Sequence, residues 1–96
     1  MIVGVVTLEL HLPEARSLKQ KRKVVKGLVD RLHARLKVSV AETDHHDLHQ
    51  RAEIGLAVVA RSDGEAERHF DAMRSVLDQQ FDAVVTRFEP ELVEIH

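Results

Sequence analysis

Leu8, Leu10 and Leu12 alternate with Thr7, Glu9 and His11, a period of two that predicts a strand over Ile2–Leu12. The opening Ile2-Val3-Gly4-Val5-Val6 is apolar at every position, as in a central strand covered on both faces. Pro13 ends the run, and from Ser17 the period changes. Leu18, Val24, Val25, Leu28, Val29, Leu32 and Leu36 fall within one arc of about 140° at about 100° per residue, which predicts a helix to Leu36. Ser17 reads as its N-cap, with Gln20 completing a capping box. Gly27 lies opposite the apolar arc. Lys37–Thr43 reads as a second strand with Val38 and Val40 on one face, and Asp44–His49 as a polar turn. Arg51–Arg61 is a third strand, apolar throughout from Ile54 to Ala60. Ser62 and Glu65 form a second capping box, with Asp63 the competing cap. Ala66, Phe70, Met73, Leu77 and Phe81 follow as a helical stripe, and Asp82–Ala83 breaks it. Val84–Ile95 is a last strand carrying Pro90 and three Glu, a composition that belongs at a sheet edge.

The predicted order is β-α-β-β-α-β over one domain, residues 1–96. Right-handed crossovers then place both helices on one face of a four-stranded antiparallel sheet, the ferredoxin-like α+β arrangement. Its central strands are the first and third, the two that are apolar on both faces. Val6, Leu8, Leu10, Val38, Val40, Ile54, Leu56 and Val58 are expected to face the helices. Val3, Val5, Ala41, Ala57 and Val59 then share the uncovered face, a candidate surface for self-association as a homo-oligomer.

Composition narrows the class. There is no Cys, Trp or Tyr and there are only three Phe, which excludes disulfide scaffolds, thiol chemistry and cysteine metal sites. No apolar stretch approaches the roughly 20 residues of a membrane span, and no basic segment precedes the apolar start. A cytoplasmic protein without a membrane partner is the expectation. The net charge of −2 conceals an imbalance. Residues 16–37 hold nine of the 14 Lys and Arg and one of the 16 acids, so that segment carries +8 and the remainder −10.

Two segments carry candidate chemistry, and the topology brings them to the same end of the sheet. In the first, Arg16, Lys19, Lys21, Arg22 and Lys23 crowd the positive end of a helix dipole, where acids are the stabilising residues, and Lys26 follows one turn on. With the free N–H groups of the first turn and the Ser17 hydroxyl they suit a phosphate, hence RNA or a ribosomal particle. Lys19, Lys23 and Lys26 point outward. Lys21 falls inside the apolar arc, where it joins that anion site, snorkels past the sheet end or pairs with an acid such as Glu42 or Asp44. The second segment is the Asp44-His45-His46-Asp47-Leu48-His49 hairpin, in which His45, His46 and His49 are weak metal-ligand candidates. Their spacing matches no standard zinc pattern. No nucleophile elbow or Gly-rich phosphate loop occurs, so no catalytic residue and no cofactor are expected. The first and third strands lack aromatics, which excludes base stacking in the manner of an RRM.

Three motifs in order, Ser17-Leu18-Lys19-x-Lys21-Arg22, Val38-Ser39-Val40-Ala41-Glu42-x-Asp44 and Asp47-Leu48-x-Gln50-Arg51, resemble those of the YlxP-like family of small bacterial proteins of undetermined function. The resemblance covers nearly the whole chain. It implies a ferredoxin-like fold, marks Glu42, Asp44, Asp47, Gln50 and Arg51 as motif positions of the hairpin, and implies a role near RNA or the ribosome, because the family's genes commonly lie among transcription and translation factors. This chain departs from the family pattern at His49, where Trp is usual, and at Lys37, where Asn is frequent.

Overall fold

The computed structural model describes residues 1–79 and 82–96. Six elements follow in the predicted order: β1 (Ile2–His11), α1 (Leu18–Arg35), β2 (Ser39–Asp44), β3 (Arg51–Ala60), α2 (Asp63–Leu77) and β4 (Val84–Glu94). The strands form one antiparallel sheet in the order β2-β3-β1-β4, so β1 and β3 are central and β2 and β4 are edges. The fold is ferredoxin-like α+β.

Side-chain parity along the strands divides the molecule into layers. Val6, Leu8, Leu10 and Leu12 on β1 and beyond it, and Ala52, Ile54, Leu56, Val58 and Ala60 on β3, are buried on the helix side. Against them pack Val25, Leu28 and Leu32 of α1 and Ala66, Phe70, Met73, Val76 and Leu77 of α2. At Gly4 a side chain of α2 lies against the sheet backbone. A Cβ there would stand 2.9 Å from Phe70 Cζ and 3.3 Å from Val58 Cγ1, so glycine is what lets the ring lie on the β1 backbone.

Helix α2 ends at Leu77, earlier than the stripe predicts. The Asp78 amide closes it by donating to Arg74 O, while Phe81 lies outside the described residues. On β4 the register irregularity falls between Glu9 and Leu10, opposite Thr86, and not at Pro90. Pro90 pairs with Val6 on the edge strand, and Leu92 and Val93 stay in phase opposite Gly4 and Val3. Phe88 lies opposite Leu8, on the helix side, with the Arg74 guanidinium 4.5 Å from its ring centroid.

Candidate functional site

The three sequence motifs meet at the end of the sheet beneath the start of α1. Ser17 caps the helix: its Oγ accepts the Gln20 N–H at 3.1 Å, and Gln20 Oε1 accepts the Arg16 N–H at 2.6 Å. These bonds satisfy one donor of the first turn and the amide of the residue before the cap. Lys21 comes one turn later. It is the one charged side chain fully buried among the described residues, at 1% exposure. Its ammonium is 2.8 Å from Glu42 Oε2 and donates to His45 O at 2.6 Å.

That geometry corrects the grouping of Lys21 with the anion-facing cations. Residue 21 shares the helix face of Val25, Leu28 and Leu32, and that face points into the protein. Glu42 is the partner because it sits opposite Ile54 on the helix side of β2. Asp44 follows a register irregularity and is engaged locally, its Oδ1 accepting the His45 N–H at 2.7 Å.

The hairpin is tied down by the same contacts. His45 has φ 64°, in the left-handed region that costs a non-glycine residue about 1 kcal/mol or more. Its carbonyl accepts both Lys21 Nζ and the Leu48 N–H, and its amide is held by Asp44, so the loop over-determines the conformation. Gln50 anchors the other loop. Its carbonyl accepts the Leu12 N–H at 2.9 Å, and its side-chain amide reaches Pro13 O and Ala15 O, each at 3.4 Å. Arg51 lies 3.8 Å from Glu9, whose carboxylate is also 3.6 Å from His45 Nε2. Asp47 is exposed.

The three histidines diverge. The His45 ring lies over Glu9, His46 Nε2 is 3.2 Å from Glu42 O, and His49 is exposed. Among the described residues no three His, Cys, Asp or Glu are placed to hold a metal ion.

The remaining cations form a ridge. Arg16, Lys19, Arg22, Lys23 and Lys26 are all exposed. Lys26 pairs with Asp30 at 2.7 Å, whereas the other four make no ion pair among the described residues. The first turn of α1 contains no acid, and Arg35 lies in its last turn. At about 1.5 Å per residue the ridge from Lys19 to Lys26 runs for about 10 Å along the helix.

Sequence reasoning misses one feature of α1. Arg31 is half-buried, its Nη1 has no hydrogen-bond partner among the described residues, and it lines a groove of about 580 Å³ with Gln20, Lys23, Val24 and Gly27. Its position on the flank of the apolar arc is the available signal. No helix among the described residues is long and apolar enough to cross a membrane.

On the opposite side of the sheet, Val3, Val5 and Ala57 are half-buried and Ala41 and Val59 exposed, the last at 63%. Among the described residues no aromatic lies on this face, since Phe88 turns to the helices. Its far end is charged. There Arg87 donates to Glu89 at 2.6 Å, which holds the Glu89 carboxyl below its usual value and raises Arg87.

Residues 3–90 match the family model described as "Protein of unknown function (DUF503)". The chain is also 29% identical over 90 residues to a curated Bacillus subtilis (strain 168) protein described as "Uncharacterized protein YlxP", a match that covers 92% of this chain and 98% of that one.

Proposed function

Given that the chain belongs to the DUF503 family of proteins of unknown function, we propose that it is a non-enzymatic RNA-binding protein that docks on ribosomal particles through the exposed face of α1. The observation that carries this reading is the unpaired ridge of Arg16, Lys19, Arg22 and Lys23 at the positive end of a helix dipole. Four unpaired cations in that field raise the free energy of the isolated helix, and a polyanion relieves it. Each contacted phosphate releases counterions, so binding is steeply salt-dependent.

The non-enzymatic part rests on how the polar side chains at this end are employed. Ser17, Gln20, Lys21, Glu42 and Gln50 each have a structural partner in a cap or loop contact. Lys21 holds the hairpin in place and thereby fixes the end of the molecule from which the ridge projects.

Co-sedimentation with ribosomal particles on sucrose gradients tests the reading. Wild-type protein is expected to travel with the particles at low salt. With four phosphates contacted, log K should fall against log salt with a slope of about −3. Lys19→Glu with Arg22→Glu should leave the folded protein at the top of the gradient. Wild-type protein that stays at the top at low salt refutes the reading.

A further inference from the structure

We propose that the open face of the sheet seats a second copy of this chain, face to face, about a two-fold axis that runs parallel to the strands between β1 and β3. The α1 ridge lies on the other side of the molecule, so this inference stands apart from the RNA reading.

The argument comes from side-chain size. On the β2–β3 half of the open face the residues are Ser39, Ala41, Gly55 and Ala57, and they floor a shallow depression of about 470 Å³. On the β1–β4 half they are larger: Val3, Val5 and Thr7 beside Val93, Glu91 and Glu89. A two-fold axis along the strands lays β1 of one copy over β3 of the other, and β4 over β2. In the observed registers Val5 then covers Ala57, Thr7 covers Gly55, Glu91 covers Ser39 and Glu89 covers Ala41. Large meets small at each position, twice over by symmetry, and the Ser39 hydroxyl can donate to the Glu91 carboxylate of the other copy. Val3 meets Val59, which is the most exposed valine of the chain.

Charge does not choose between the two axes. An axis across the strands at the level of Val5 would set Glu91 against its own copy. The axis along the strands sets Glu9 against Glu53 of the other copy, twice by symmetry, so four carboxylates share that level. Arg51 stands 3.8 Å from Glu9, and Arg87 would lie over Thr43, whose hydroxyl binds Glu53 at 2.6 Å. Arg87 already donates to Glu89 of its own chain, so Glu53 would share that guanidinium.

Area sets the strength. Three strands of ten or eleven residues and one of six, spaced by about 4.8 Å, present on the order of 600 Å² per copy. Twice that lies at the lower limit of specific interfaces, which corresponds to a reversible dimer in the micromolar range.

Sedimentation velocity over a concentration series tests the proposal. Wild-type protein should pass from monomer to dimer across the micromolar range. Ala57→Lys, which places an ammonium in the depression, should stay monomeric with an unchanged circular dichroism spectrum. Because the chain has no cysteine, a mixture of Val5→Cys and Ala57→Cys chains should oxidise to a heterodisulfide in higher yield than either homodisulfide forms alone. Three results would overturn the proposal: a wild-type monomer at every concentration, a dimer that survives Ala57→Lys, or a dimer in which the Val5→Cys and Ala57→Cys chains do not cross-link.

Discussion

The two helices begin with nearly identical caps and opposite charges. Ser17 (φ −158°, ψ 162°) and Ser62 (φ −152°, ψ 163°) hold the same extended conformation, and each Oγ accepts the N–H three residues on at 3.1 Å. The first turn of α2 contains Asp63 and Glu65, and Arg61 donates to Glu65 at 2.9 Å. The first turn of α1 contains no acid and begins a run of exposed cations. One terminus follows the dipole and the other opposes it. Since backbone and cap are equivalent, the charges on α1 are not there to stabilise the helix. In the proposed reading their complement is a polyanion outside the chain. Among the described residues only α1 buries a charge, and Lys21 has no counterpart on α2.

The largest expected effect separates the two termini at that buried lysine. Lys21→Met should cost about 3 kcal/mol in chemical denaturation, because it leaves Glu42 and the His45 carbonyl without their shared donor. Glu42→Gln should cost a similar amount, since it leaves the Lys21 ammonium, at 1% exposure, without its counter-charge. A double-mutant cycle would report their coupling. Next come the caps. Ser17→Ala and Ser62→Ala should each cost about 1 kcal/mol, and unequal losses would break the equivalence of the two caps.

Smaller and of opposite sign are the surface charges. Lys19→Glu or Arg22→Glu should stabilise the fold by about 0.3–1 kcal/mol at low salt while weakening binding to ribosomal particles, whereas Asp63→Lys should destabilise it by a similar amount. A gain in stability accompanied by loss of binding is the signature expected of cations kept for a partner. The smallest effect is a titration. The hydrogen bond from Arg61, together with its charge, holds the Glu65 carboxyl below its usual 4.5, so its contribution to stability is complete above that value and is lost as pH falls through the lowered folded-state pKa. NMR titration should show this depression, and Arg61→Ala should return Glu65 toward 4.5.

The fold was legible because each strand and helix states its own period. The double-faced apolarity of Ile2–Val6 and Ile54–Ala60 marks the central strands, and Pro90 marks an edge. Parity along the strands then separates Val6, Leu8 and Leu10 from Val3 and Val5 without any further information. The candidate site was legible only in part. Periodicity places Lys21 on the buried face, but whether a lysine there snorkels out, binds an anion or finds an acid depends on what the neighbouring strand presents. Gln50 gave less warning still, because its partners, the carbonyls of Pro13 and Ala15, are backbone atoms of a loop more than 30 residues away.

Spacing and propensity within about a dozen residues were enough to set the order of the elements, the two serine caps, the buried face of each strand and the concentration of positive charge in α1. Contacts across the fold settled which cations remain available to a ligand. They drew Lys21 to Glu42 and the His45 carbonyl, separated the three histidines, and left Arg16, Lys19, Arg22 and Lys23 without an ion pair among the described residues. The reason is that the state of a buried charge depends on the groups packed around it, and those groups come from chain segments that local sequence cannot bring together.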